Sequence, residues 1–456
     1  MRVPLVGAAA LLAAMLLPCP LAGQQTSVTI YSDGRVLVRR AVPAALARGT
    51  STVGVDLGVP QFEQGSLTVL DTGVSLRGVR VVQATGQEGS LFRSLGREIE
   101  FVVGPDTAAP RYVRGTLLSM NPLTVRVDGR IRYFYPGTPV FPDSLVQLAP
   151  RVELTLDAAR AVNPLHLAYL SGGLGWQAAY TLTVPRSGPG AAVMNGVAVI
   201  SNPGNLDLRQ AQVQLLAGQV QRMVAPPQPM AARGAMRLEQ IVVSGEVQEE
   251  AVGGTHVYSL PGAVDFAPGE SRSVPLFDRT SAEVEPRYFL RASGYGPQSQ
   301  WNQPMRDQHP EIEYRVARPA RTAFGTTPLP AGTVRVYAPD SSGRLQLLGE
   351  TVIDHTPAGR DLKLVTGTAF DITAERTQTE FDRRGPREVV SAYRVTIQNA
   401  KTERVVVQVE DQFGTEWDLL SSTIPPEKPT ATSARFAVPV AAGGEATLEY
   451  RVRLHW

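Results

Sequence analysis

An all-β architecture, with immunoglobulin-like β-sandwiches and an inserted small SH3-like barrel, follows from three observations. Apolar and polar residues alternate with a period of two from one end of the chain to the other. Glycine and proline, 42 and 36 of 456 residues, interrupt those runs at turn positions. Helical patterning is confined to one short stretch. A period of two puts residues i, i+2 and i+4 on one face of an extended strand, so each run offers one face to a core and one to solvent.

The elements follow in order. Val28 and Ile30, a turn at Asp33-Gly34, then Val36 and Val38 read as a hairpin. Further strands carry Val53, Val55 and Leu57; Leu67 and Val69; Val74 and Leu76; and Val79 and Val81. The one helical signal is SLFRSLG at 90–96, with Leu91, Phe92 and Leu95 on one side. From 96 to 142, EIEFVVG, RYVRGTLLSM, LTVRVDG, RIRYFYP and a last extended stretch make five short strands, the pattern of the small barrel. Strands resume at Val152, Leu154 and Leu156 and recur to the final run Leu448, Tyr450, Val452, Leu454, Trp456. The expected organisation is an N-terminal sandwich from 24–95 plus 143–285, the inserted barrel at 96–142, and a C-terminal sandwich at 286–456. The stretches 225–236, 245–254, 293–309 and 425–433 read as long loops.

Residues 1–23 read as a secretory signal. Arg2 supplies positive charge, Leu5 to Leu17 form a short apolar run, and Gly23 offers a small residue before Gln24. Cys19 is the only cysteine. A lipid-anchor motif wants a small residue before the cysteine, and Pro18 stands there, so Cys19 is expected to leave with the leader; lipidation is the alternative. The mature chain is then thiol-free, without disulfides or thiolate metal sites. With Arg2 gone, the 44 basic and 42 acidic residues leave a net charge of +1. Such a balance points to neither nucleic acid nor an anionic membrane as partner. No later apolar run reaches membrane length. The terminal alternation ending in Trp456 mimics the last strand of an outer-membrane barrel. Most strands here are short and broken by proline, so a soluble sandwich is the leading reading. The expected localisation is periplasmic or extracellular.

Chemistry-bearing motifs are absent. There is no HExxH, GxSxG, Walker loop or GxGxxG. Five histidines, at 166, 256, 309, 355 and 455, are scattered without ligand spacing. No catalytic residue, metal ligand or cofactor is assigned. Ligand-binding candidates are Asp354 and His355, a carboxylate beside an imidazole in DHTP, and Trp301, an aromatic in the polar stretch GPQSQWNQP. Each has a plainer alternative: DHTP is rich in turn formers, and a lone aromatic can fold back onto its own core. In DITAER, Asp371 and Glu375 fall on one strand face and Arg376 on the other, which suits cross-strand ion pairs. Trp176 and Tyr180 share a strand face and read as core, with sugar stacking as the alternative.

Several segments resemble a known family. HLAYLSGGLGWQAAYTLTV (166–184) is similar to the L-x-Y-L-x-G-G-L-x-W-x-A-x-Y signature of a bacterial all-β domain family of unknown function that includes mucoidy-inhibitor-A-like proteins. The likeness continues at 196–218, 258–277, 329–381 and 438–456. It implies an exported all-β protein with no agreed catalytic residues to carry over. Many relatives have a coiled-coil insertion that this chain lacks, and Gln219 stands where an acidic L-x-A-G-D-x-N version has Asp. The expected function is that of a non-catalytic cell-envelope module that binds an envelope protein or polysaccharide. Polysaccharide processing and outer-membrane association are the alternatives.

Overall fold

The computed structural model describes residues 26–57, 59, 62–82, 86–104, 110–147, 151–204, 206–218, 247–291 and 299–456. The leader with Cys19, Gln219, the 225–236 loop and the start of the 245–254 and 293–309 stretches lie outside the described residues. About 63% of the chain is strand and 5% helix, so the protein is all-β. Among the described residues the longest helix has 8 residues, and none is long and apolar enough to cross a membrane.

The chain divides into two compact units. The first holds Leu37–Ser171 and Leu208–Gln212 with residues up to Val28; the second holds Thr29–Val36, Gly172–Asp207 and Val213–Trp456. In the first unit, Arg151–Ala158 is the centre of a three-stranded antiparallel sheet between Gly49–Val55 and Val74–Val82. Its alternation is literal: Val152, Leu154, Leu156 and Ala158 are buried, and the valine and the two leucines each contribute about 1.5–3 kcal/mol on leaving water. Outside the core, Asp71 accepts from the backbone N–H of His166 at 2.6 Å and meets its Nδ1 at 2.8 Å, which ties that histidine down.

The five short strands of the inserted segment form as expected: Glu98–Val103, Arg111–Met120, Leu123–Val127, Arg130–Arg132 and Thr138–Val140. They make an open sheet, not the expected small SH3-like barrel. Thr138–Val140 and Arg130–Arg132 are its two edges and do not pair with each other. Each edge strand spans only three residues, and the inner face of Ile99, Phe101, Leu117, Val125 and Val127 is covered by Leu91 and Leu145 instead of a closing strand. The helix is Gly86–Arg93, starting four residues before the sequence signal. Only Leu91 of its apolar trio turns inward, while Phe92 and Leu95 are exposed.

In the second unit, a continuous path of strands runs Leu345–Ile353, Gly332–Pro339, Gly175–Thr183, Gly190–Ser201, Ser271–Arg291, Glu311–Val316, Leu362–Thr368. Gly196 faces Phe277 across two of these strands, and a Cβ there would overlap the Phe277 ring, which stacks on Tyr180 at 6.3 Å. Gly349 lies so close to the carbonyl of Thr366 that no side chain fits, so the first and last strands of the path approach one another there. The strand Ser271–Arg291 runs unbroken past the boundary expected at 285/286. Up to Val284 it pairs antiparallel with Gly190–Ser201, and from Tyr288 it pairs parallel with Val405–Gln412.

Val405–Gln412 and Ser433–Val440 pack against a second sheet ordered Met305–Gln308, Ile372–Gly385, Glu388–Asn399, Glu445–His455, Glu416–Ser422. The core between them takes Val407, Val409, Phe436 and Val438 from one side and Val395, Ile397, Leu448, Val452 and Leu454 from the other, a β-sandwich. The terminal strand thus turns its apolar face into this core and presents Glu449, Arg451 and Arg453 on the other.

Candidate functional site

Two glycines begin the site. Gly253 and Gly254 both have positive φ, +56° and +84°, and so form a two-residue hairpin loop that L-residues with side chains rarely adopt. The loop fixes the register of Gln248–Val252 on Thr255–Phe266: Ala251 opposes His256 and Glu249 opposes Tyr258. Glu249, Ala251, His256 and Tyr258 therefore share a face. Glu249 Oε1 lies 2.6 Å from His256 Nδ1. A carboxylate only accepts, so Nδ1 carries the proton; in the neutral ring, Nε2 is left as an acceptor.

The opposite wall comes from two loops joined by a short antiparallel bridge. Leu329 and Thr356 exchange both backbone hydrogen bonds, each 2.9 Å. This places Pro328, Leu329 and Pro330 beside His355, Thr356 and Pro357. With Ala217, Gly218, Gly254, His256 and Tyr258 they enclose a pocket of about 300 Å³. The rim is pinned from behind through its proline carbonyls. Tyr258 OH donates to Pro328 O at 3.1 Å, Tyr180 OH to Pro330 O at 2.8 Å, and Arg318 Nη1 to Pro357 O at 3.2 Å.

Arg318 is fully buried and is the anchor of this wall. Besides Pro357 it donates to the carbonyls of Phe324, Thr327 and Arg360, and its guanidinium lies 5.0 Å from the Phe324 ring centroid. Burial pulls its pKa down, while Tyr180, Tyr258 and Asp361 act in the opposite direction. Burial likewise pushes the Tyr258 and Tyr180 phenols well up, so both remain donors.

His355 differs from the other four histidines. His166 and His256 meet carboxylates through Nδ1, His455 meets Asp418 through Nε2, and His309 Nδ1 faces the carbonyls of Ala369 and Ile372. His355 Nδ1 instead accepts from the backbone N–H of Ala331 at 3.1 Å. The neutral ring therefore carries its proton on Nε2. Although the residue is exposed overall, burial of the ring against the rim lowers its pKa; Asp354 works the other way and nearby His256 reinforces the lowering. A ring with Nδ1 engaged as acceptor and Nε2 protonated offers no lone pair to a cation. Among the described residues no group of three or more His, Cys, Asp or Glu could hold a metal ion.

No protein-family model matches the chain, and no curated protein matches it.

The remaining sequence candidates fall elsewhere. Asp354 does not hydrogen-bond His355; its carbonyl accepts from Thr356 Oγ1 at 2.8 Å and its side chain is exposed, as in a turn. Trp301 is not a surface platform. It is buried, 5.3 Å from the Tyr393 ring and 5.4 Å from the Arg376 guanidinium. Trp176 and Tyr180 are buried as well. Glu375 pairs with Arg306 at 3.5 Å, and Arg376 pairs inside the sandwich with Asp411. A second hollow, about 450 Å³, is lined by Arg287, Arg404, Arg435, Glu285 and Phe289 among others; Arg287 is engaged by Glu285 at 2.9 Å and Arg435 by Glu410 at 2.5 Å. His256, noted only as one of five scattered histidines, and Glu249, Tyr258 and Arg318 were not picked out as site residues from the sequence. A signal for the first three existed: the GG loop in EEAVGGTHVY dictates which residues of the hairpin share a face.

Proposed function

We propose that this chain is an exported, non-catalytic cell-envelope protein, an interaction module that recognises its partner through the proline–histidine pocket. The observation that carries the reading is the pinning of the rim by Tyr258, Tyr180 and Arg318. A wall fixed by buried donors is ready before the ligand arrives, so binding costs little ordering entropy. Nucleophilic catalysis asks for a hydroxyl or thiol beside a base. The hydroxyls lining this pocket, Thr356 and Tyr258, both donate to backbone carbonyls. Export is supported by the leader-like residues 1–23. The resemblance to the mucoidy-inhibitor-A-like family points the same way.

The test is fractionation of a tagged chain in a Gram-negative host, combined with a photo-crosslinking residue at Pro330. The expected outcome is a leader-cleaved protein outside the cytoplasm, crosslinked to an envelope protein or polymer. An uncleaved cytoplasmic protein, or a crosslinker at Pro330 that captures nothing, overturns the proposal.

A further inference from the structure

We infer that the pocket takes the acetamido group of an N-acetylated amino sugar. This rests on the interaction-module reading and names the chemistry of the ligand. A secondary amide has one N–H donor, one C=O acceptor and a small apolar acyl group. The pocket supplies the complement of each. His256 Nε2, made an acceptor by the Glu249 contact at Nδ1, suits the N–H. His355 Nε2–H, made a donor by the Ala331 N–H at Nδ1, suits the C=O. Pro328, Leu329, Pro330 and Pro357 give the methyl an apolar wall. The volume, about 300 Å³, is that of a small-ligand pocket.

Other ligand chemistries fit less well. A carboxylate would approach the negative charge of Glu249. A lone hydroxyl would leave the apolar wall unused. A peptide strand also carries amides, but its recognition draws on a ladder of backbone donors and acceptors. Pro328, Pro330 and Pro357 have no N–H, Leu329 and Thr356 satisfy each other, and the N–H of Ala331 is held by His355. An isolated amide borne on a sugar ring matches this wall better than a peptide does.

The experiment is calorimetric titration of the full chain with three probes at millimolar concentration: methyl 2-acetamido-2-deoxy-β-glucopyranoside, methyl β-glucopyranoside, and N-acetylalanine N′-methylamide. The acetamido sugar should bind about tenfold more tightly than the plain glucoside. Glu249→Gln sharpens the test. A Gln side chain can donate to His256 Nδ1, which lets the proton move to Nε2 and removes the acceptor. Affinity for the acetamido sugar should fall about tenfold, with an unchanged unfolding midpoint because Glu249 lies on an exposed strand. Equal binding of the plain glucoside, indifference to Glu249→Gln, or tightest binding of the dipeptide overturns the assignment. So does failure of all three probes. In that case a surviving Pro330 crosslink to an envelope partner leaves the interaction-module proposal standing, and loss of that crosslink removes it too.

Discussion

Two buried arginines in the second unit show two ways of placing a guanidinium in an apolar interior. Arg318 spends its donors on backbone: the carbonyls of Phe324, Thr327, Pro357 and Arg360. Arg376 spends its donors on side chains. It contacts Asp411 and Tyr450 OH through Nη2 and lies 5.4 and 5.1 Å from the rings of Trp301 and Tyr393. Burial acts against its charge, but Asp411 and Tyr450 outweigh it and raise its pKa. Its Nε and Nη1, and Oδ1 of Asp411, have no hydrogen-bond partner among the described residues. The first arginine shapes loops and holds the wall of the proline–histidine pocket in place. The second is one half of an ion pair inside a sandwich, where the desolvation of two charges offsets most of their attraction.

The largest effect expected from that contrast is at Arg376. Arg376→Met leaves the Asp411 carboxylate buried without its partner and should destabilise the protein by about 3–5 kcal/mol. Replacing the whole cluster, Arg376→Met with Asp411→Leu and Tyr450→Phe, should recover most of that loss; urea unfolding of the two variants measures both. Arg318→Lys keeps a charge, but an ammonium cannot span four carbonyls. A loss of about 2–3 kcal/mol is expected. Hydrogen exchange should quicken at Leu329, Ala331 and Thr356, and the Val395 and Val407 strands should keep their protection.

Smaller changes probe the rim alone. Tyr258→Phe removes one donor and should cost about 1 kcal/mol in the same unfolding assay, because Pro328 O loses its partner. The pH response of His355 is the smallest. Its folded pKa lies below its ordinary value, so between the two the unfolded chain binds the proton and the folded chain does not. Its contribution to stability is present above the ordinary histidine pKa and is lost as pH falls from there through the lower folded value. Melting at pH 8 and pH 5 should show a drop for the native chain that is smaller in His355→Gln, whose amide oxygen can accept from Ala331 N–H at both pH values.

Much of the fold was legible because burial on one face of a strand writes itself as alternation. Arg151–Ala158 and Glu445–His455 bury the residues that the period of two selects. Arg376 could be placed by the same rule, for it continues the buried row of Ile372 and Ala374. The open edges of the 98–140 sheet could not be, since closure depends on whether two three-residue strands meet. The site was legible in part. His355 was singled out, but with Asp354 as its partner, whereas the fold gives it Ala331 N–H and brings His256 from a distant hairpin. A single histidine or arginine carries no mark of which backbone group will meet it. Those pairings arise from loop crossings that no local pattern encodes.

The unbroken strand Ser271–Arg291 has a consequence for how the second unit comes apart. It is 21 residues long, about 70 Å end to end. One portion is stitched to Gly190–Ser201 and the other to Val405–Gln412. Neither half of the unit can melt without fraying a beam that the other half holds in place. Such a shared beam couples the two halves energetically, so calorimetry should record one cooperative transition for them, with equal van't Hoff and calorimetric enthalpies.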